Sequence, residues 1–128
     1  MDNIRIEATE RTPEVDFAFD ENSFALRGEA YPEDINEFFG PLVSQLENYL
    51  NSLEGADVTF NFELIYFNSS TAKILMMLFE LLDSVAEKGN QVTVNWIYAS
   101  DDDNMEELGE EYGEDLEHAH FNLVAQDA

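Results

Sequence analysis

The sequence predicts a single-domain α/β protein, a mixed sheet covered by helices, with the coarse order β-β-β-α-β-α-β-α-β. Several short segments alternate apolar and polar residues as half-buried strands do, and three longer segments repeat apolar residues at helical spacing. The order strand, helix, strand in the second half adds parallel pairing through a right-handed crossover. The 128 residues, 1–128, are expected to form one domain with a single hydrophobic core.

The first 30 residues predict an edge strand and a hairpin. Glu14–Phe19 and Ser23–Gly28 alternate apolar and polar side chains, and the turn-forming segment Asp20–Asn22 joins them. Ile4–Ile6 alternates more briefly and predicts a short edge strand. Arg11–Pro13 then interrupts the pattern, so the edge strand and the hairpin are expected to be separate elements.

The first helix is predicted to open at Tyr31–Asp34, with Pro32 in its first turn and acidic side chains at the positive end of the helix dipole. Pro41 lies inside the pattern and cannot donate its helical hydrogen bond, so the helix is expected either to kink near Gly40 or to restart there. One face gathers large apolar side chains: Ile35, Phe38, Phe39, Leu42, Val43, Leu46, Tyr49 and Leu50.

The central strand follows a connector at 51–56. Ile65 and Phe67 make its last part apolar on both faces, which is typical of an inner strand. Its earlier part alternates, with the apolar positions Val58, Phe60, Phe62 and Leu64.

A central helix is predicted from roughly Ser70 to Lys88, with Gly89–Asn90 as its stop. Three hydroxyl-bearing residues, Ser69–Thr71, lie where it begins. A hydroxyl at a helix start can accept a hydrogen bond from an unpaired N–H, worth about 1 kcal/mol, so capping alone is the simplest interpretation of these residues. The core-facing residues are Ile74, Leu75, Leu78, Leu81, Leu82 and Val85.

The last third predicts one strand, a helix and a final strand. Gln91–Tyr98 alternates, with Ile97 the large apolar residue of its second face. After an acidic turn at Asp101–Asn104 comes a helix that glycines should weaken, and His120–Ala125 predicts a short strand. The helix face consists of Met105, Leu108, Tyr112 and Leu116, and the glycines are Gly109 and Gly113.

The outward face of the central helix is the most informative surface in the sequence. Met77 falls within about 40° of Lys73 around the helix axis, and Met76 within about 60°, so both methionines are predicted to be exposed. Flexible thioethers suit surfaces that must fit a partner. This interpretation is preferred to ordinary surface methionines because the hydroxyl cluster lies beside them. The same face carries Glu80, Ser84 and Glu87.

Composition excludes several function classes. With 29 acidic and five basic residues, the formal net charge is −24, which should repel nucleic acids and anionic membranes and favour a basic or locally apolar partner. Solubility in a salt-rich setting is an equally good account of this charge. There is no cysteine, and no signal peptide or membrane span is indicated, so a cytoplasmic protein is expected.

An enzyme is not expected. The glycines are scattered rather than grouped in a phosphate-binding loop, no nucleophile elbow surrounds a serine, and no cofactor is indicated. His118 and His120 alternate and have Glu114 or Glu117 nearby, a spacing that gives only a weak signal for zinc. Surface histidines are the favoured interpretation, with no metal.

Five segments, in this order, resemble those of one family. They are Thr12–Pro13, Gly28–Glu33, Phe38–Phe39, Asn68–Lys73 and Val94–Tyr98. Asn68–Lys73, with the sequence Asn-Ser-Ser-Thr-Ala-Lys, resembles the Asn-Thr-Ser-Ser-x-Lys motif of the SiaC family of bacterial regulatory phosphoproteins. The resemblance covers most of the chain and implies a fold like that of the STAS-type anti-sigma-factor antagonists.

The resemblance also implies a switch. In this family the first hydroxyl after the asparagine is phosphorylated by a dedicated serine/threonine kinase, and a PP2C-type phosphatase reverses the modification. The unphosphorylated form binds and activates a diguanylate cyclase in cyclic di-GMP and biofilm signalling. By position the acceptor is Ser69; the exchange of Ser and Thr relative to the motif leaves Ser70 and Thr71 as alternatives. The expected partner-binding residues are Asn68, Lys73, Met76, Met77 and Glu80.

A phosphate on Ser69 should act at an interface. At a helix start it should be locally stabilising by about 0.3–1 kcal/mol, whereas facing a partner's carboxylates or apolar surface it should cost several kcal/mol. Two alternatives remain: an anti-sigma-factor antagonist that uses the same hydroxyl on an anti-sigma kinase, and a constitutive acidic binding module with strongly salt-dependent binding.

Overall fold

The computed structural model describes residues 2–127, which form one six-stranded sheet whose spatial order follows the chain, β1-β2-β3-β4-β5-β6. The first three strands pair antiparallel, and β3, β4, β5 and β6 pair parallel. The predicted order of elements, including the short edge strand and the inner position of the central strand, is confirmed. The strands are β1 Ile4–Ile6, β2 Glu14–Ala18, β3 Ser23–Ala30, β4 Asp57–Phe67, β5 Gln91–Ala99 and β6 His120–Gln126.

Three helices connect the parallel strands: α1 Ile35–Leu50, α2 Ser69–Glu87 and α3 Asp103–Glu114. A single 3-10 turn, Phe19–Glu21, joins the two strands of the hairpin. The helices supply buried side chains to one continuous core with the alternate residues of the strands. The largest fully buried side chains are Trp96, Phe17, Phe24, Phe39, Phe60 and Phe62.

The first helix differs from its prediction at two points. It begins at Ile35, so Pro32 precedes it, because the Asp34 carboxylate accepts the N–H of Glu37 at 3.0 Å and fixes the cap there. It also continues through Pro41 without restarting. Pro41 is exposed, and the Glu37 carbonyl that loses its helical donor is on an exposed residue too, where water can bond to it.

The opposite face of the sheet carries polar side chains. Asn61, Asn95 and Asn122 stand side by side on β4, β5 and β6, and their amides bond in a row at 2.8 and 2.9 Å. Ile65, expected to make β4 apolar on both faces, is 66% exposed. β4 therefore lies inside the sheet, between β3 and β5, but only one of its faces is buried.

The two glycines of α3 have a packing role. A Cβ on Gly109 would lie 2.4 Å from the Trp96 ring, and one on Gly113 would lie 2.4 Å from the Phe121 ring. The absence of side chains lets α3 lie directly against β5 and β6. Leu116, expected on the helix face, lies beyond the end of the helix at Glu114, yet packs against the core.

Candidate functional site

The start of α2 lies at the carboxyl end of β4 and is capped by Asn68. The Asn68 side-chain oxygen accepts the N–H of Thr71 at 2.9 Å, and its carbonyl accepts the N–H of Ala72 at 2.9 Å. Capping therefore does not account for the three hydroxyls. Asn68 has the extended backbone of a cap residue, and its side chain supplies the bond, so the hydroxyls of the first turn are not needed for it.

The three hydroxyls that follow Asn68 lie in different environments. Ser69 and Ser70 are exposed, whereas Thr71 is completely buried. The Thr71 Oγ1 finds no hydrogen-bond partner among residues 2–127. A modifying enzyme can therefore reach the hydroxyls of Ser69 and Ser70 on the folded domain, while Thr71 would require the helix start to open.

The charge around this helix start is unusual for so acidic a chain. The first turn, Ser69–Ala72, contains no acidic residue, and Lys73 follows it on the exposed surface. Backbone N–H groups and the helix dipole make a helix N-terminus favourable for an anion. The start of α2 is therefore a position where an anion would be favoured, in a protein that is strongly negative as a whole.

Beyond Lys73, the outward face of α2 exposes two methionines. Met76 is 51% exposed and Met77 is 50% exposed, as the helical spacing predicted, and Glu80 is exposed beside them. Phe79 was missed as a core residue, although its position three residues before Leu82 could have indicated it. It is buried against the rings of Phe62, Trp96 and Tyr112.

A groove of about 400 Å³ runs between α2 and the connector from α3 to β6. Apolar side chains contribute to its lining, including Met76 and Leu116, and carboxylates surround it, including Glu80, Glu87 and Glu117. The exposed methionine surface therefore continues into a concave, acid-rimmed surface. This continuity was not visible in the sequence because the connector comes from residues 115–119, far along the chain.

Asp83 fastens that connector to α2. Its Oδ1 accepts the backbone N–H groups of Glu117, His118 and Ala119 at 3.1, 2.7 and 2.9 Å. Burial raises the pKa of the Asp83 carboxyl, but the hydrogen bonds from Ala119, His118 and Glu117 outweigh it, so the pKa lies below its usual value of 3.8. The carboxylate is thus the stable form that holds one wall of the groove.

Tyr112 of α3 ties the start of α2 to the rest of the core. Its hydroxyl donates to the Ala72 carbonyl at 3.3 Å, and its ring packs on Phe79 and Trp96. Burial, and then the charge of Glu111, raises the pKa of the Tyr112 phenol, so the proton needed for this bond is held at neutral pH. Tyr112 therefore holds the first turns of α2 in place from the core side.

An aromatic pair lies at the same end of the sheet and was not singled out from the sequence. The rings of Tyr31 and Tyr66 meet edge to face at 5.5 Å, and the Arg11 guanidinium lies 5.9 Å from the Tyr31 ring centre. Tyr66 is 51% exposed and lies two residues before Asn68. Because Ala30 pairs with Phe67, Tyr31 follows β3 at the level where Asn68 follows β4. This aromatic pair therefore borders the start of α2.

The histidines are on the surface. His118 lies in the connector with its Nε2 3.4 Å from a carboxylate oxygen of Glu87, and His120 begins β6. Within residues 2–127 there is no group of three histidine, aspartate or glutamate side chains arranged to hold a metal ion. Over the same residues, every helix is too short or too polar to cross a lipid bilayer.

Comparison with known protein families matches residues 6–126 to the model of the SiaC family regulatory phosphoproteins. A protein of Pseudomonas aeruginosa strain UCBPP-PA14 is 28% identical over 115 residues, which are 90% of each chain. The match extends over nearly the whole sheet and all three helices, including the start of α2.

Comparison with solved structures also finds SiaC proteins. The structure of SiaC of Pseudomonas aeruginosa is similar with a TM-score of 0.87 at 25% identity, over 98% of this chain and 100% of the other. A second similar structure is the complex of the diguanylate cyclase SiaD with its activator SiaC from Pseudomonas aeruginosa. It gives a TM-score of 0.89 at 27% identity, over 96% of this chain and 99% of the other.

Proposed function

This chain belongs to the SiaC family of regulatory phosphoproteins, and we propose that it activates a diguanylate cyclase in a manner controlled by reversible phosphorylation of Ser69. Membership in this family makes the chain a regulator rather than an enzyme. The observation that carries the proposal is the exposed hydroxyl of Ser69 in the first turn of α2, on a fold similar to an activator found bound to its cyclase.

Accessibility favours Ser69 and Ser70 over Thr71 as the acceptor. Thr71 is fully buried, so its phosphorylation would require α2 to open at its start. Between the two exposed serines, the family motif favours Ser69, because it follows Asn68 directly. Phosphorylation there leaves the cap intact, since the Asn68 side chain bonds to Thr71 and not to either serine.

A phosphate on Ser69 would reverse the local charge. Ser69 and Lys73 are four residues apart on α2, a spacing that places both side chains on the same face, and an anion on the amino-terminal side of a lysine is the favourable arrangement. The phosphate would add about −1.5 to −2 charges and engage Lys73, so a locally positive surface becomes negative without loss of the fold. A partner that binds the positive form would then be repelled.

The proposed cyclase-binding surface continues from this point along α2. Lys73, Met76, Met77 and Glu80 are exposed in sequence along one side of the helix, and the acid-rimmed groove follows. Methionines supply adaptable apolar contact, and the acidic rim suits basic residues in the part of the partner over the groove, whereas the part that faces Ser69 is expected to be acidic or apolar. The switch and the contact surface are adjacent, so a phosphate at the helix start can influence binding directly.

The proposal includes two further proteins. A serine/threonine kinase would phosphorylate Ser69, and a PP2C-type phosphatase would remove the phosphate, as the family resemblance implies. We place this exchange in the cytoplasm. The expected result is two populations of the chain, of which the unphosphorylated one activates the cyclase.

The first test is to recover the protein from its native cells and locate phosphate by peptide mass spectrometry, comparing conditions that favour and disfavour surface attachment. Phosphate on Ser69 whose occupancy changes with condition is expected. Phosphate found only on Ser70 would show that Ser70, and not Ser69, is the acceptor. If no condition gives phosphate on either serine, the switch is wrong and a constitutive acidic binding module is the better account.

The second test measures binding to the diguanylate cyclase of the same organism by calorimetry, together with cyclase activity. Ser69→Ala should bind and activate like the unmodified protein, whereas Ser69→Asp should bind at least about 10-fold more weakly because a carboxylate carries part of the charge of a phosphate. Ser70→Asp is the matched control and should retain more binding. Equal binding of the Ala and Asp variants at Ser69 would contradict the switch.

A further inference from the structure

The edge strand β6 has the composition of an inner strand. Its seven residues, His120–Gln126, include no aspartate, glutamate, lysine or arginine, although the chain has 29 acidic and five basic residues. The inner strand β5, Gln91–Ala99, is equally free of these residues, whereas the opposite edge strand, Ile4–Ile6, has three residues and contains Arg5. Charges and short length are the usual protection of an edge, and β6 has neither.

The outer side of β6 presents unpaired backbone groups. The Gln126 carbonyl accepts the N–H of Ser100, so the backbone groups of Gln126 face β5. Because these groups alternate along a strand, those of Phe121, Leu123 and Ala125 face outward. No strand within residues 2–127 pairs with this side. Leu123 and Val124 are each 37% exposed, which adds apolar surface to the same edge.

We infer that β6 pairs antiparallel with β6 of a second copy of this chain, joining two sheets through a two-fold axis at Leu123. In this register Leu123 lies opposite Leu123, and Phe121 lies opposite Ala125 of the second copy. Every outward N–H and C=O of the three residues then has a partner, since the hydrogen-bonded pairs of an antiparallel ladder exchange both bonds.

The distribution of charge favours a second copy over a basic partner strand. In a two-fold pairing, a charged residue near the axis would face its own copy, so such a strand has to be uncharged there. A basic partner would instead be favoured by acidic residues on the edge, and β6 has none. The first acidic residue after the strand, Asp127, falls opposite the neutral Ala119 in this register.

The large net charge determines how the pairing depends on salt. Two copies at −24 repel each other at long range, and this repulsion is screened within about 8 Å at physiological ionic strength and about 3 Å at 1 M. Pairing through an uncharged strand should therefore strengthen as salt rises. Association with a basic partner would show the opposite dependence. The inference is independent of phosphorylation and of the cyclase.

The test is sedimentation equilibrium of the full, unmodified chain over about 1 μM to 1 mM protein. The mass should rise from 14.6 kDa toward twice that value, and the dimer fraction should be larger at about 1 M NaCl than at about 0.15 M. A monomer under all conditions would overturn the inference. Assemblies larger than a dimer would also overturn it, because a two-fold pairing of β6 is closed.

A pair of variants identifies the edge. Ala125→Pro removes an outward N–H without touching the ladder to β5, a position where an edge strand tolerates proline, and should shift the dimer to monomer. Ala125→Ser keeps that N–H and should dimerise like the unmodified chain. Equal dimerisation of both variants would show that another surface is responsible.

Amide hydrogen exchange of the unmodified chain tests the same point without a substitution. The N–H groups of Leu123 and Ala125 should exchange at least about 10-fold more slowly at high than at low protein concentration, because pairing protects them. The N–H groups of Asn122 and Val124 face β5 and should change much less. Concentration-independent exchange at Leu123 and Ala125 in a solution that contains dimer would overturn the pairing.

Discussion

The starts of α2 and α3 are capped by the same kind of hydrogen bond, but they differ in the number of acidic side chains around it. Asn68 caps α2 by accepting the N–H of Thr71 at 2.9 Å, and Asp102 caps α3 by accepting the N–H of Met105 at 3.0 Å. The cap of α3 is itself an anion, and Asp103 and Glu106 follow in its first turn. The first turn of α2, Ser69–Ala72, has no acidic residue.

The carboxylates near α3 stabilise the fold, whereas the first turn of α2 contains no carboxylate. Around α3, Asp102 caps the helix and Asp83 holds the connector that follows it. At the start of α2, the favourable place for an anion is occupied by exposed serines. The chain has 29 acidic residues, yet none lies in this turn, so a phosphate there would meet no neighbouring carboxylate within the turn.

Substitution of Gly109 should show how closely α3 is packed. Gly109→Ala should lower the free energy of unfolding by about 2–3 kcal/mol, because the new Cβ would lie 2.4 Å from the buried Trp96 ring. Gly40→Ala is the control in α1, where a Cβ meets no atom within 4 Å other than those of neighbouring chain positions, and should change stability much less than Gly109→Ala because only the adjacent Pro41 opposes it. Urea unfolding measures both. A neutral Gly109→Ala would mean that α3 is loosely held.

Removal of the Asp83 carboxylate should loosen the connector. Asp83→Ala should lower the free energy of unfolding by about 2 kcal/mol at pH 7, through loss of three charge-assisted hydrogen bonds. The exposed carboxylate Glu47 on α1 provides the control, and Glu47→Ala should change stability by less than about 0.5 kcal/mol.

The Asp83 contribution should depend on pH. Its folded-state pKa is lowered from 3.8, so its stabilisation is present above the pKa of the unfolded chain and is lost as the pH falls through the folded-state pKa. The stability difference between the unmodified chain and Asp83→Ala should thus be constant near pH 7 and shrink below about pH 4. A difference that grows toward acid pH would contradict this assignment.

Removal of the two caps should cost similar free energy but respond differently to salt. Asn68→Ala and Asp102→Ala should each lower the free energy of unfolding by about 1 kcal/mol, since Asn and Asp are comparable caps. Only the loss at Asp102 should shrink as NaCl is raised, because the interaction of its charge with the helix dipole is screened. Equal salt dependence would show that charge does not distinguish the two helix starts.

Exchange of charge between the two starts should have the smallest effect. Ser69→Asp should raise the free energy of unfolding by about 0.3–1 kcal/mol, and Asp103→Ser should lower it by a similar amount. Both changes should diminish with added salt. Thermal unfolding at low and high ionic strength measures them, and a destabilised Ser69→Asp would mean that the start of α2 does not accept an anion.

Local periodicity predicted most of the fold. The order of elements, the exposure of Met76 and Met77, and the final strand within one residue of its observed end all follow from spacings of two and of about 3.6 residues. These spacings state which side of an element is apolar. They do not state where a helix begins, so the pattern predicts Pro32 inside α1 and does not identify Asn68 as the cap of α2.

The fold class, the buried faces and the hydroxyl cluster at Ser69–Thr71 follow from the amino-acid sequence, because these are properties of neighbouring residues. The packing of distant segments decided that the Tyr112 hydroxyl bonds to Ala72, that a Cβ on Gly109 would meet the Trp96 ring, and that Asp83 holds residues 117–119. Each of these depends on contact between segments distant in the chain. Burial and hydrogen bonding between such segments are set by strand register and helix packing, which no local pattern contains.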